Sequence, residues 1–109
     1  MNEKLANKKC VPCKGGTLPL SKEEAKKLLA QVSTSWHLNE KSIGAEFKFK
    51  NFKEAMDFIN KVAAIAESEG HHPDIHISYS RVKLKSWTHA IGGLSINDFI
   101  LISKINSLI

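Results

Sequence analysis

No stretch of this chain approaches the ~18 consecutive apolar residues that a membrane-spanning helix needs, and the N-terminus has no apolar run of signal-peptide length. A soluble, cytoplasmic protein with no membrane partner is expected. Only two of the 109 residues are cysteines, in Cys10-Val11-Pro12-Cys13. A structural zinc ion takes four ligands, and neither a second Cys-x-x-Cys nor a nearby His-x3-His completes this pair, so no metal site is expected there. A thioredoxin-like redox pair lies between a strand and a helix; this one precedes Gly15-Gly16 and a polar segment, which suits an exposed, reduced pair. Lysine and arginine exceed aspartate and glutamate by 16 to 11, yet the lysines are spread along the whole chain. A concentrated basic stripe is missing, which argues against a nucleic-acid partner.

What is present fits a single domain. Residues 1–20, broken by Pro12, Gly15, Gly16 and Pro19, read as a flexible arm, and residues 21–109 as one folded unit. Ser21 with Glu24 three residues on is a capping box, and Ala25, Leu28, Leu29 and Val32 follow at helical spacing, which predicts a first helix over about 21–31. Trp36 and Leu38 alternate with polar neighbours, as do Ile43, Ala45, Phe47 and Phe49 with Glu46, Lys48 and Lys50; this is a hairpin with one apolar face. Asn51 caps a long helix whose stripe of Phe52, Ala55, Met56, Ile59, Val62, Ala63 and Ala66 stops at Gly70. Ile75, Ile77 and Tyr79, then Val82 and Leu84, make a second hairpin turning about Ser80-Arg81. Ser95 caps a last helix, with Asp98 at its third position and Phe99-Ile100-Leu101-Ile102 apolar over more than one face, which suggests self-association through this helix. The expected fold is α/β of the α+β kind, a four-stranded antiparallel sheet with three helices on one face, in the order helix-strand-strand-helix-strand-strand-helix.

The chemistry concentrates in three histidines. Imidazole is the side chain whose ordinary pKa lies nearest neutrality, so His71, His72 and His89 together form a candidate proton-transfer site. With the turn at Ser80-Arg81, Tyr79 faces Val82, Ile77 faces Leu84 and Ile75 faces Ser86, and His72 at the open end faces His89. A slip of two residues would weaken that pairing but keep both histidines on one face. The site is expected on the uncovered sheet face or its rim. Pro73 keeps His72 out of helical geometry. Glu67, one helical turn earlier, is placed to orient an imidazole or to bond the amino-pyrimidine edge of a ligand. Adjacent His71 and His72 do not readily share one zinc ion, and the helical His-x3-His spacing is absent. His37 and His76 read as surface residues.

The pattern Glu-x3-His-His-Pro-x5-Tyr-x9-His-x8-Asp, here Glu67, His71, His72, Pro73, Tyr79, His89 and Asp98, resembles the pterin-4a-carbinolamine dehydratases. Trp36, the run Phe47 to Phe52 and Gly93-Leu94-Ser95 add to the resemblance, which spans about residues 18–106, and the Cys10–Gly16 segment is similar to that of bacterial members. The resemblance implies a homodimer or homotetramer formed through sheet edges and the last helix. It also implies dehydration of 4a-hydroxytetrahydropterin to quinonoid dihydropterin in tetrahydrobiopterin recycling, with no metal or organic cofactor. By position His71 and His89 would be the acid/base pair and His72 the group that holds the pterin, with Glu67, Pro73, Trp87, Thr88 and Asp98 lining the substrate. Trp87 stands where other members often carry a small polar residue. Two alternatives stay open: a protein-binding coactivator module of the same fold, and a pterin enzyme of molybdenum cofactor metabolism.

Overall fold

The computed structural model describes residues 19–32, 36–39 and 41–108. The elements run α1 (Lys22–Leu29), β1 (His37–Leu38), β2 (Ile43–Lys48), α2 (Phe52–Glu69), β3 (Asp74–Ser78), β4 (Arg81–Ser86), a short 3-10 turn (His89–Ile91) and α3 (Ile96–Asn106). The strands form one antiparallel sheet in the order β1-β2-β4-β3. The expected order and class therefore hold.

Each helix starts where its capping residues stand. Ser21 and Glu24 exchange side-chain and backbone hydrogen bonds at 3.1 Å each, and Asn51 Oδ1 accepts from Glu54 N–H at 2.9 Å. These bonds satisfy amides that the first helical turn leaves without partners. α2 ends at Gly70, whose φ of 65° lies in the left-handed region that costs glycine least.

The core lies between one sheet face and the helices. Ile43, Ala45, Val82 and Leu84 point inward from the strands and meet Ala55, Phe58 and Val62 of α2 and Phe99, Leu101, Ile102 and Ile105 of α3. Phe47 and Phe58 pack 5.2 Å apart, with Trp36 edge-on to Phe47 at 5.7 Å. Each large side chain so buried contributes about 1.5–3 kcal/mol. The opposite sheet face carries the exposed His37, Glu46, Lys83, Lys85, Asp74 and His76.

Four expectations need correction. The second hairpin turns about Tyr79-Ser80, so that Ser78 pairs with Arg81, Ile77 with Val82 and Ile75 with Leu84. Tyr79 takes a φ of 51°, a conformation that a tyrosine does not advertise in sequence. The slip is two residues, so every side chain keeps its face. In α2 the inward line is Ala55, Phe58, Val62 and Ala66, while Ala63 is exposed and Phe52 stacks outside the core on Tyr79, ring centroids 6.4 Å apart. In α3 the apolar run Phe99 to Ile102 is at most 2% exposed, because sheet and neighbouring helices enclose it, which leaves that run no free face for self-association. Leu20, expected in the arm, is half-buried against the core and donates its N–H to Leu94 O at 2.8 Å; the remainder of the expected arm, residues 1–18, lies outside the described residues.

Candidate active site

The site forms at one end of the sheet, where α2 ends, β4 ends and α3 begins. Its centre is Asp98. As the third residue of α3 it points back at its own helix start, and its Oδ2 accepts from Ser95 N–H at 2.9 Å. The same oxygen accepts from Thr88 Oγ1 at 2.8 Å, while Oδ1 accepts from Ser86 Oγ at 2.6 Å and lies 2.7 Å from His71 Nε2. Asp98 has no exposed surface. Four donors on two oxygens match the acceptor capacity of a carboxylate, the condition for keeping a buried charge. Since the carboxylate can only accept, Nε2 of His71 carries the proton and Nδ1 is left with its lone pair for whatever occupies the site.

His71 reaches this partner because Gly70 ends α2. Its N–H still donates to Ala66 O at 3.2 Å, so the last turn fixes its backbone while the ring, 12% exposed, crosses to Asp98. His72 points elsewhere. It is largely exposed, and its Nε2 sits 2.8 Å from Oε1 of Glu67, itself on the outer surface of α2. Pro73 is half-buried and leads directly into β3.

β4 stops at Ser86, before the third histidine. His89 opens the 3-10 turn and is exposed. Its ring lies 3.8 Å from that of half-buried Trp87, at 34°. The expected direct facing of His72 and His89 does not occur, because the register is shifted by two and the strand has ended. His71 is instead tied to Asp98, and His89 is carried one residue beyond Thr88, itself a partner of Asp98.

Thr88 and Asp98, expected to line a ligand, are 5% and 0% exposed; Asp98 meets His71 through Oδ1 and Thr88 through Oδ2. Among the described residues no group of three or more His, Cys, Asp or Glu side chains is arranged to hold a metal ion. Sequence reading missed Ser86 and the second role of Ser95, whose hydroxyl is 2.8 Å from that of Thr88. Ser86 did leave a signal: it follows Val82 and Leu84 at strand spacing, a polar residue at a core position, which calls for a buried partner.

The sequence model of the family described as pterin 4 alpha carbinolamine dehydratase matches residues 18–108. A candidate pterin-4-alpha-carbinolamine dehydratase of Rickettsia canadensis is 51% identical over 106 residues, covering 96% of this chain and 97% of the relative. One from Nitrosomonas eutropha is 47% identical over 105 residues, covering 96% and 93%. The crystal structure of a transcriptional coactivator/pterin dehydratase from Brucella melitensis superposes with a TM-score of 0.78 at 29% identity, over 83% of this chain and 97% of that one. This chain belongs to the pterin-4-alpha-carbinolamine dehydratase family.

Proposed function

We propose that this protein is a hydro-lyase that dehydrates 4a-hydroxytetrahydropterin to quinonoid dihydropterin, the recycling step that follows aromatic amino-acid hydroxylation. The observation that carries the reading is the 2.7 Å contact between His71 Nε2 and buried Asp98 Oδ1, which leaves Nδ1 as the working nitrogen at a solvent-open rim. In the reaction the C4a–O bond breaks, the hydroxyl leaves as water after gaining a proton, and the adjacent ring nitrogen loses a proton as its lone pair forms the C=N bond. One acid and one base suffice, and no electrons are exchanged with a second reagent. His71 and His89 are the pair, one giving and one taking. Such help is worth ~10²–10⁴-fold per group. Asp98 holds the His71 ring, with Ser86 and Thr88 holding Asp98 in turn. His72, oriented by Glu67, holds the pterin, against which Pro73 and Trp87 present apolar surface.

A second reading, a coactivator role of the same fold, is favoured by the name of the Brucella melitensis neighbour. The two readings separate on the histidines, which protein binding does not require. The protein works in the cytoplasm as a homodimer joined at the β3 edge, where Ile77 is 38% exposed on an outer strand.

The test is to generate 4a-hydroxytetrahydropterin with a hydroxylase and follow its ultraviolet decay with wild type, His71→Ala and His89→Ala. Acceleration by wild type that falls at least ~10²-fold in each folded variant is the expected result. Decay no faster than in buffer would sink the enzyme reading.

A further inference from the structure

His71 is anchored through its side chain, but His89 is not. Among the described residues its ring makes no hydrogen bond, and its ring contact is with Trp87. Its placement therefore has to come from the backbone of the turn that carries it. That turn is closed by a bridge in which Thr88 N–H donates to Gly93 O at 2.8 Å and Gly93 N–H to Thr88 O at 3.4 Å.

The far side of Gly93 meets the beginning of the folded chain. A methyl group at Gly93 would lie 2.8 Å from Pro19 Cβ and 3.1 Å from Pro19 Cγ, atoms of a closed ring that cannot rotate aside. Next to this contact Leu20 N–H donates to Leu94 O at 2.8 Å, and the Leu20 side chain packs against the core. Gly93 thus presents one face to the bridge that shapes the His89 turn and the other to Pro19. We propose that Pro19 and Leu20 form a clamp on Gly93–Leu94 and act as positioning residues for His89. This inference rests on the reading of His89 as an acid/base group. The clamp works through the bridge: it keeps Gly93 pressed toward Thr88, and Thr88 sets the backbone from which His89 departs. Misplacement of a catalytic group by about 1 Å costs up to ~10²-fold in rate.

Three variants test it: Gly93→Ala, Pro19→Gly, and the two combined. Each is assayed for dehydration, and each has its His89 ring-proton resonances recorded by NMR, since the Trp87 ring current marks the stack. Gly93 needs no left-handed φ, so alanine is tolerated by the backbone and its effect is the collision with Pro19. Gly93→Ala is expected to lower kcat about 10-fold or more with KM within about 2-fold, and to move the His89 resonances toward those of an unstacked ring. Pro19→Gly alone releases Gly93 from the clamp and is expected to lower kcat and unstack the His89 ring in the same direction; in the double variant the alanine methyl takes the space that the Pro19 ring vacates, so both kcat and the resonance positions are expected to be regained. Wild-type kcat and resonances in either single variant, or a double variant no better than the single ones, overturn the clamp. If wild type itself does not accelerate dehydration, the functional reading fails separately, and the resonances of the four proteins still decide the clamp.

Discussion

A single carboxylate shows how the site is built at the residue scale. Asp98 is without solvent contact and is bonded by His71, Ser86, Thr88 and the Ser95 amide. Such a charge is tolerable because its donors replace the lost water, and removing the charge leaves those donors facing each other. Asp98→Asn, which keeps the volume and adds an N–H₂ among donors, should lower the unfolding free energy by about 3 kcal/mol and kcat by about 10²-fold or more. Urea unfolding and the dehydration assay read the two effects. A folded Asp98→Asn protein with wild-type kcat would mean that His71 does not depend on this partner. Ser86→Ala, which removes one donor and leaves three, should cost about 1 kcal/mol.

At the scale of elements, the helix ends do the positioning. Gly70 at 65° ends α2 and releases His71 toward Asp98. Gly70→Ala meets no neighbouring atom, so its penalty is conformational, about 1–2 kcal/mol, which for a domain of this size lowers Tm by about 4–16 °C; a thermal melt checks it. The start of α1 responds to acid. The Ser21 backbone N–H and then its hydroxyl, both bonded to Glu24, hold that carboxyl below the ordinary glutamate range, opposed by weak desolvation and aided by Lys27. Because the folded value is the lower one, the stabilisation is fully present above the ordinary range and is lost as pH falls through the folded value. Below about pH 4 the first turn of α1 should therefore fray before the core. Amide exchange at Ser21 and Glu24 that accelerates on acidification, and does not in Glu24→Gln, is the expected pattern.

Across the whole molecule, the arrangement of layers decides which surfaces remain available. The apolar run Phe99 to Ile102 of α3 is enclosed, and among the described residues no helix is long and apolar enough to cross a membrane. β3 is an outer strand of five residues with exposed Ile77, next to the stacked pair Phe52 and Tyr79, which are 49% and 67% exposed. An uncovered edge of this kind is a template for pairing. Ile77→Lys is expected to convert the proposed dimer to a monomer in sedimentation equilibrium without loss of the far-ultraviolet circular dichroism of the fold. A wild-type protein already monomeric at micromolar concentration would refute the edge as a self-association surface.

The sequence alone determined the element order, the capping residues Ser21, Asn51 and Ser95, the end of α2 at Gly70 and the parity of every strand. These rest on local chemistry: a cap bonds within three residues, glycine alone lacks the Cβ that resists left-handed φ, and side chains alternate along any strand. It also singled out the three histidines and Asp98 as a group. Tertiary structure decided what they do to one another. The hairpin register depended on Tyr79 accepting a left-handed φ, and the contacts of Asp98 with His71 and Ser86 span 27 and 12 residues. Whether a polar side chain on the inward face is an error or half of a buried network depends on what the opposite layer brings to it. Here α3 brings a carboxylate to Ser86, and Gly93 meets Pro19 across a gap that a single methyl group would close.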